Sequence, residues 1–484
     1  LALETKSWKA DVWQEQMHLK ADINNLSAKQ ANINLKEEEY RVGELALLAK
    51  DVDYDVPYEK TAKGLDTNHL FFPTLTIDAN NISYTKQGID LGLQHLALKE
   101  KSGLEVSNIS GTLHYDSTLV KLSNGHLETP HSKIDADVSV GENNHMEVKV
   151  KGDIGKQDVM LLAGDALGDI GKQLPDKPAN LNLRAEGTMD NMAIDYCHLT
   201  LPGNMEMRLS GRLNDIGSDL RRNGKMHYTI ALKDAGFISK LLPKDIRQQL
   251  RIPNGTRIGG DIDFRGNQFN LSRNTIYCGN GSLSFSGRFS ASNMSYDGKL
   301  TARQFPLQRF LPNMGLSPLT GEFDVKGKGT DFLNPNTTLK MDSKIGSFSY
   351  AGLPLNNMHI NANLNGSNAE GFLRANNSWL KAALNFTANR QDGRISGSID
   401  GRIDNLRLSQ FMEMPDTTTG KDMRLMADIN LRGFYEDKEQ KMGIGGTIDN
   451  LNAVDSRMGY PGGAIHFGLG TSHEIGRASC RERV

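Results

Sequence analysis

Cysteine is scarce in this chain of 484 residues, which contains only three. Cys480 falls in a terminal segment that we treat as non-native below, so Cys197 and Cys278 remain. Two cysteines cannot build a disulfide framework or a thiolate metal cluster. Each of them directly follows a tyrosine. This leaves a single disulfide between them or two buried thiols, and we expect the thiols.

The chain also lacks a strong excess of charge of either sign. It has 56 Lys and Arg against 58 Asp and Glu, a formal net charge of −2 at pH 7. Binding to nucleic-acid phosphates requires a basic excess, so this balance argues against a nucleic-acid partner. No uninterrupted apolar stretch approaches the roughly 18 residues of a membrane-spanning helix.

Motifs of catalysis and cofactor binding are missing as well. The chain contains no Walker loop, no Gly-x-Ser-x-Gly elbow and no His-Glu-x-x-His helix. His126, His131 and His145 are the nearest approach to a histidine cluster, but they lack the spacing of metal ligands. The sequence therefore predicts a protein that is not an enzyme and that needs no cofactor and no metal.

Alternation of apolar and polar residues is the dominant pattern that is present. Met205, Met207 and Leu209 would share one face of a strand, and Glu206 and Arg208 would lie on the other. A period of two predicts strands with one apolar and one hydrated face, which is typical of antiparallel sheets.

A short apolar segment that ends in proline recurs between the strand-rich stretches. The prolines lie 68, 69 and 103 residues apart, at Pro175, Pro243, Pro312 and Pro415. In addition, residues 203–213 match residues 279–289 at an offset of 76 residues. Such recurrence predicts an array of similar units. The short turns within each unit predict a meander of about five or six strands.

Few segments have the apolar spacing of a helix. The candidates are residues 158–174 and two short turns around Pro243, at residues 237–242 and 245–250. They are too small to cover the apolar faces of so many strands. Those faces must therefore be closed by a second sheet, by curling of the sheet on itself, or by a ligand that is not protein.

These proline-ended segments also suggest where the boundaries between the repeats lie. We predict an N-terminal part of the array at 1–155, repeats at 156–243, 244–312 and 313–415, and the start of another repeat at 416–473. Residues 474–484 match the translation of a common sequencing adapter, and we exclude them as non-native. The chain begins at Leu1 without a methionine or a signal peptide, so we expect an internal fragment of a longer protein.

Three segments resemble the AsmA/TamB superfamily. They are residues 311–331, residues 348–355, and a Thr-x-x-Ser segment within residues 127–134 that is similar to TamB-like proteins of Bacteroidota. The resemblance extends over most of residues 1–470. It implies an all-β fold: an elongated, repetitive antiparallel sheet that curls into an open, taco-like groove, with short helical segments between the repeats.

The family resemblance also implies a location and partners. Members are translocation and assembly proteins of the Gram-negative envelope, anchored in the inner membrane and reaching across the periplasm. We therefore expect an anchor segment before this chain and a role in outer-membrane biogenesis. The expected partners are phospholipids and an outer-membrane β-barrel assembly protein.

Phospholipid acyl chains are a natural cover for the apolar face, because each methylene removed from water contributes about 0.8 kcal/mol. The candidate lining residues are the apolar members of the clearest alternating windows: Leu181, Leu183, Met205, Met207, Leu209, Leu283, Phe285, Phe289, Ile395, Ile399 and Ile403.

Two other classes of protein also produce alternating strands. A β-barrel of the outer membrane would need aromatic girdles, whereas aromatic residues make up 7% of this chain. A secreted or surface protein that binds polysaccharide, such as an adhesin, could be built from a repetitive β-fold. The repeat is too long for one coil of a β-helix, and no paired carboxylates stand out. An outer-membrane β-barrel and a polysaccharide-binding surface protein therefore stay open as alternative classes.

Overall fold

The structure is a computed structural model that describes residues 2–14, 17–60, 65–215, 217–218, 220–242, 244–331, 334–410, 423–436, 441–454, 459–461, 465–470 and 479–480. It divides into two units, Leu1–Arg247 and Gln248–Val484. Pro243, the predicted boundary at 415/416 and most of residues 474–484 lie outside the described residues.

The first unit contains long strands and short helices. Its strands are β1 (Leu3–Gln14), β2 (Met17–Lys29), β3 (Asn32–Asn34), β4 (Glu39–Asp55), β5 (His69–Thr85), β6 (Gly88–Lys99), β7 (Glu105–Asp116), β8 (Val120–Glu128), β9 (Lys133–Val140), β10 (Met146–Ile154), β11 (Ala179–Thr188), β12 (Asn191–Leu201), β13 (Met205–Asn214) and β14 (Asn223–Leu232). The helices are a 3-10 turn at Glu142–Asn144, α1 (Lys156–Gln173), α2 (Gly236–Leu241) and α3 (Lys244–Gln249), which runs across the division between the units.

The second unit continues in the same way. Its strands are β15 (Arg257–Arg265), β16 (Gln268–Cys278), β17 (Gly281–Ser290), β18 (Ser295–Phe305), β19 (Leu319–Lys328), β20 (Thr338–Ser347), β21 (Ser349–Tyr350), β22 (Leu353–Pro354), β23 (Met358–Asn365), β24 (Asn368–Asn376), β25 (Leu380–Gln391), β26 (Arg394–Arg407), β27 (Arg424–Glu436), β28 (Lys441–Val454), β29 (Gly459–Pro461), β30 (Ile465–Gly470) and β31 (Ser479–Cys480). Helix α4 (Leu307–Phe310) and a 3-10 turn at Leu408–Gln410 complete it.

Strands in each unit pair antiparallel with their neighbours in the chain. In the first unit β1 pairs with β2, β2 with β4, and each later strand with the next up to β14, while β3 adds to the start of β4. In the second unit the series runs from β15 to β20, passes to β23, and continues to β28 and β30. Strands β21 and β22 form a separate hairpin. The predicted all-β fold, an open antiparallel sheet with short helices between its parts, is confirmed.

The predicted number of strands per repeat is wrong for the first two repeats. Among the residues that the structure describes, four strands, β11–β14, lie between Pro175 and Pro243, and four more, β15–β18, lie between Pro243 and Pro312. Fewer strands fit in each repeat because each strand is long, with 9 to 11 residues. Helical turns take up part of the remaining residues. The third stretch, from Pro312 to Pro415, has six long strands and the β21–β22 hairpin.

The two four-stranded meanders share their irregularities. In β11–β14 the register shifts once between the first and second strands and once between the second and third, the latter between Ile194 and Cys197. In β15–β18 shifts occur at the corresponding places, the second between Leu271 and Asn274. Bulges of this kind bend a strand and increase its twist, which curls the sheet. The matching segments 203–213 and 279–289 thus occupy the same position in two similar structural repeats.

Candidate functional site

Apolar residues of the first unit line up from strand to strand. Residues directly opposite each other in an antiparallel pair point to the same face of the sheet. One uninterrupted cross-strand row therefore runs from β2 to β14, and we call it the central row: Leu26, Leu47, Ile77, Leu96, Ile109, Leu127, Ile134, Gly152, Leu181, Leu199, Met207 and Ile230. None of these positions carries a polar side chain. We call this side of the sheet the apolar face.

The second unit has parallel rows of the same kind. The first row is Ile258, Ile276, Leu283, Ala302, Gly321, Ile345, Met358, Ala375, Ala382, Ile403 and Ala427. The second is Asn274, Phe285, Leu300, Phe323, Ser343, Ile360, Leu373, Leu384, Gly401, Ile429 and Ile448, and the third includes Val325, Met341, Ala362, Gly371, Phe386, Ile399 and Leu431. The first row crosses eleven neighbouring strands, which corresponds to roughly 50 Å measured along the sheet at about 4.8 Å per strand.

Two polar residues interrupt the second row, and both are satisfied by the backbone. Asn274 donates from Nδ2 to the carbonyl oxygens of Ser272 and Asp261, at 3.0 and 3.2 Å. The Ser343 hydroxyl donates to the carbonyl oxygen of Ile360 at 3.1 Å. Both side chains are fully buried. They therefore fix the backbone and do not present a polar surface to a ligand.

Apart from Asn274 and Ser343, the buried residues of these three rows all lie in the first row. In the first row Ala302, Met358, Ala375, Ala382 and Ala427 are buried. The side chains of the third row are half-buried, apart from Ile399, which is exposed. A face covered by a second protein layer would be buried throughout. This sheet instead has a closed edge, at the first row, and an open edge beyond the third row.

A short hairpin covers the closed edge of the second unit. Leu353 and Leu355 pack against the buried cluster that contains Met358 and Trp379. The indole of Trp379 donates to the carbonyl oxygen of Pro354. Helix α4 has the same role near β18, where Leu307 and Phe310 pack on Phe305 and Ala302. Two of the segments that resemble the AsmA/TamB superfamily, 348–355 and the start of 311–331, belong to this edge.

The Thr-x-x-Ser segment lies in the turn between β8 and β9 of the first unit. Thr129 and Ser132 both donate their hydroxyl hydrogens to Asp158 Oδ2, at 2.5 Å each. The Ser132 hydroxyl accepts from the backbone N–H of Gly155 at 2.9 Å. Because Asp158 is in the first turn of α1, this network fixes the start of that helix against the β8–β9 turn. The structure thus gives this motif a structural role.

The eleven predicted lining residues all lie on the apolar faces. In the first unit, strand β11 carries Leu181 and Leu183, and β13 carries Met205, Met207 and Leu209; β12 separates the two strands. Leu283, Phe285 and Phe289 lie on β17, and Ile403 lies in the first row. All nine are half-buried. Ile395 and Ile399 are 38% and 42% exposed, because they lie towards the open edge.

Sequence reasoning missed most of the face. The largest group is on β4–β9, where Leu47, Ile77, Leu96, Ile109 and Leu127 continue the central row. Bulges shift the alternation in these strands; for example, the register slips between Asn80 and Ser83. A strict period-two search breaks at each slip. A search that allowed one extra residue per strand would have found them.

The opposite side of the sheet, the polar face, carries cross-strand ion pairs. In the second unit Asp297 lies 3.6 Å from Arg288 and 3.3 Å from Lys326, and Lys299 lies 3.3 Å from Asp324. The hydrogen bond from His359, together with one from Asn361, lowers the pKa of Asp342. Exposed pairs of this type contribute little to stability. They do make this face hydrophilic along its length.

Three shallow depressions of the second unit lie mainly on the polar face. Their volumes are about 1020, 960 and 770 Å³. The linings are rich in amide, hydroxyl and charged side chains, including Asn363, Lys326 and Lys340. A twisted sheet is saddle-shaped, so both of its faces have concave parts. These depressions suit ligands that are mainly hydrophilic. Phe289 contributes to the second lining, and Val325, Met341 and Phe386 of the third row contribute to the third.

The cysteines do not form a disulfide. Cys278 is buried and Cys197 is half-buried, and both are free thiols. The expectation of two buried thiols is thus met for Cys278 and wrong for Cys197, which lies in a row on the partly open apolar face. Burial raises the pKa of the Cys197 thiol.

The described residues contain no group of three or more His, Cys, Asp or Glu side chains placed to hold a metal ion. His126, one of the histidines considered above, instead pairs with Asp135 at 2.7 Å. Within the same described part of the chain, no helix has both the length and the apolar character needed to cross a membrane.

No family model matches the chain, and no curated protein matches it. The resemblance to the AsmA/TamB superfamily therefore stays a prediction.

Proposed function

We propose that this chain is a β-groove protein of outer-membrane biogenesis whose apolar face shields the acyl chains of phospholipids and lets them pass from strand to strand. The single observation that carries the proposal is the set of uncharged cross-strand rows that the protein leaves half-exposed. Leu47, Leu181 and Met207 in the first unit and Phe285 and Phe386 in the second are examples.

Hydrocarbon is the cover that best matches this face. Each methylene that leaves water contributes about 0.8 kcal/mol. Leucine, isoleucine, methionine and phenylalanine offer it no hydrogen-bonding groups, so the rows do not select a particular polar ligand. A flexible chain adapts to the changing side-chain profile more easily than a folded protein surface would.

The rows also provide a physical basis for passive movement. A guest that advances by one strand leaves one apolar residue and meets another, for example from Ile109 to Leu127 to Ile134 in the central row. The free energy of the guest changes little between such positions. No charged side chain in the central row creates a barrier. An external gradient of lipid, or a partner at one end, would then set the direction.

Location and partners follow from the family resemblance. We propose that the protein lies in the periplasm and is anchored to the inner membrane through a part of the protein outside this chain. We further propose that it works with a barrel-assembly protein of the outer membrane. The polar face supports this placement, since its ion pairs and amides keep the outside of the sheet hydrated.

A photoactivatable phospholipid with a diazirine on its acyl chain tests the proposal. The full chain is exposed to vesicles that contain this lipid, irradiated and analysed for covalent adducts. Met207→Asp and Phe285→Asp place a carboxylate in the apolar rows. A charge in a hydrocarbon environment costs about 2.5–3.5 kcal/mol, so we expect crosslinking near each site to fall roughly 100-fold.

The matched controls place the same carboxylate on the polar face of the same or the next strand. Thr229→Asp lies on β14, paired with Arg208, and Ser286→Asp lies on β17, next to Phe285. Both should crosslink like the unmodified chain. Equal crosslinking of all four variants, with circular dichroism showing intact sheet, would reject the acyl-chain path.

A further inference from the structure

Tyrosines form a rim at the open edge of the first unit. Tyr40 pairs with Tyr84, and their ring centroids are 5.7 Å apart. The row continues from Tyr84 through Ile89 to Tyr115. The three tyrosines are 37%, 48% and 49% exposed, and we call them the tyrosine rim.

The rim belongs to the apolar face. On β7, Tyr115 and Leu113 are two residues apart, so their side chains point to the same side. Leu113 pairs with Leu91 on β6 and with Leu122 on β8. The tyrosine rings therefore continue the hydrocarbon surface out to its border, and their hydroxyls mark where that surface meets water.

The other edge of this unit, its closed edge, is apolar and buried. Ala49, Ile23 and Val52 are buried there in one apolar cluster. The nearest buried carboxylate, Glu100, already accepts hydrogen bonds from the backbone N–H groups of Phe71 and Ser102, at 3.2 and 2.5 Å. The side chains of this cluster are all apolar.

Tyrosine combines an apolar ring with a polar end and is enriched where hydrocarbon meets water. The turn that follows Tyr84 adds an exposed cation, Lys86. Gln87 and Gly88 in that turn donate their backbone N–H groups to Thr85 Oγ1, at 3.2 and 3.3 Å. The turn is thus held in a defined shape with Lys86 at its tip.

We propose that the tyrosine rim is the site of the phosphate head group, so that a bound phospholipid has a fixed orientation. Its head lies at Tyr40, Tyr84 and Tyr115, with Lys86 available to the phosphate, and its acyl chains point towards the closed edge. This inference rests on the proposed function. It assigns a position to the polar head group of the bound lipid.

Two photoactivatable phosphatidylethanolamines test the orientation on the unmodified full chain. One carries its diazirine on the head group and the other carries it on an acyl chain, and labelled residues are mapped by mass spectrometry. The head-group probe should label the tyrosine rim and residues 85–88, whereas the acyl probe should label the central row. Head-group labels at the closed edge, or spread evenly over the face, would overturn the orientation. If neither probe labels the apolar face, the proposed function itself fails.

Removal of the three hydroxyls provides a second test. The triple variant Tyr40→Phe, Tyr84→Phe and Tyr115→Phe keeps the rings, so the sheet should fold normally. We expect it to bind phosphatidylglycerol roughly tenfold more weakly and to bind diacylglycerol, which has no phosphate, unchanged. Tyr196→Phe is the matched control, because Tyr196 lies on the polar face opposite Arg184 and is also exposed. Equal weakening for both lipids would mean a structural role and would contradict the proposal.

Discussion

The indole Nε1 of Trp379 donates a hydrogen bond to the carbonyl oxygen of Pro354, which ties the β21–β22 hairpin to the sheet. Trp379 is buried in the cluster with Met358 and Leu380. A single side chain thus joins the closed edge of the second unit to the segment that covers it. This contact helps to bury the part of the first row that contains Met358, Ala375 and Ala382.

Trp379→Ala should therefore open the closed edge. Truncation of a buried tryptophan costs about 3–5 kcal/mol, and the effect should be local. Hydrogen exchange should accelerate in residues 349–354 and at the adjoining ends of β23 and β25. Trp379→Phe retains most of the packing and loses the N–H donor, so it should have a much smaller effect. Equal exchange rates in the alanine variant and the unmodified chain would show that the hairpin is held by other contacts.

The network at Asp158 should hold α1 in place. Asp158→Ala removes the acceptor for Thr129 and Ser132, two hydrogen bonds to a charged group at about 1.5–3 kcal/mol each. We expect faster hydrogen exchange in α1 and little change in β8 and β9. Asp176→Ala is the control, because the Asp176 side chain is 90% exposed and its pair with Lys156 should contribute less than about 1 kcal/mol. Similar exchange in the two variants would contradict this role.

His114 should make stability depend on pH. Its hydrogen bonds to Asp90, and then to Asp116, raise the pKa of His114 above its ordinary value of 6.5. A histidine whose pKa is raised on folding stabilises the fold fully below the unfolded value, and this contribution is lost as the pH rises through the folded value. Asp116 remains charged in this window, because its hydrogen bonds to Thr118 and to His114 hold its pKa well below the usual range.

The test compares urea midpoints at pH 5.5 and pH 8.5. Asp90→Asn should lower the midpoint more at pH 5.5, where His114 is protonated, than at pH 8.5, where a smaller fraction of it is protonated. Asp392→Asn, at an exposed turn remote from any histidine in the sequence, should have no such pH dependence. An equal loss for Asp90→Asn at both pH values would rule out the charged pair.

Much of the fold could be predicted from the sequence because it depends on local patterns. The alternation around Met207 and Phe285 identified strands and their apolar sides. The spacing of residues 158–174 predicted a helix that the structure places at Lys156–Gln173. The four-strand size of the first two repeats could not be predicted, since it depends on how many residues each strand has before its turn.

The continuity of the apolar face was harder to predict from the sequence. The pairing of Leu96 with Ile109, for example, is set by bulges on both sides of it, between Leu93 and Leu96 and between Leu96 and Leu98. The closed edge was also missed. Trp379 is isolated in the sequence, and its contact with Pro354 depends on a hairpin 25 residues earlier in the chain. Such features arise from tertiary structure and leave little local signal.

The most direct test of the central claim is a photo-crosslinking scan along one strand. A benzophenone amino acid is placed in turn at each residue from Leu283 to Phe289 on β17 except Gly287, where a Cβ would meet the backbone of Asp297. Adducts with phospholipid are measured in cells or vesicles. The account predicts adducts at Leu283, Phe285 and Phe289 and none at Ser284, Ser286 and Arg288, because successive side chains point to opposite faces. Adducts without this alternation, or their absence at all of these positions, would contradict the claim that the apolar face binds lipid.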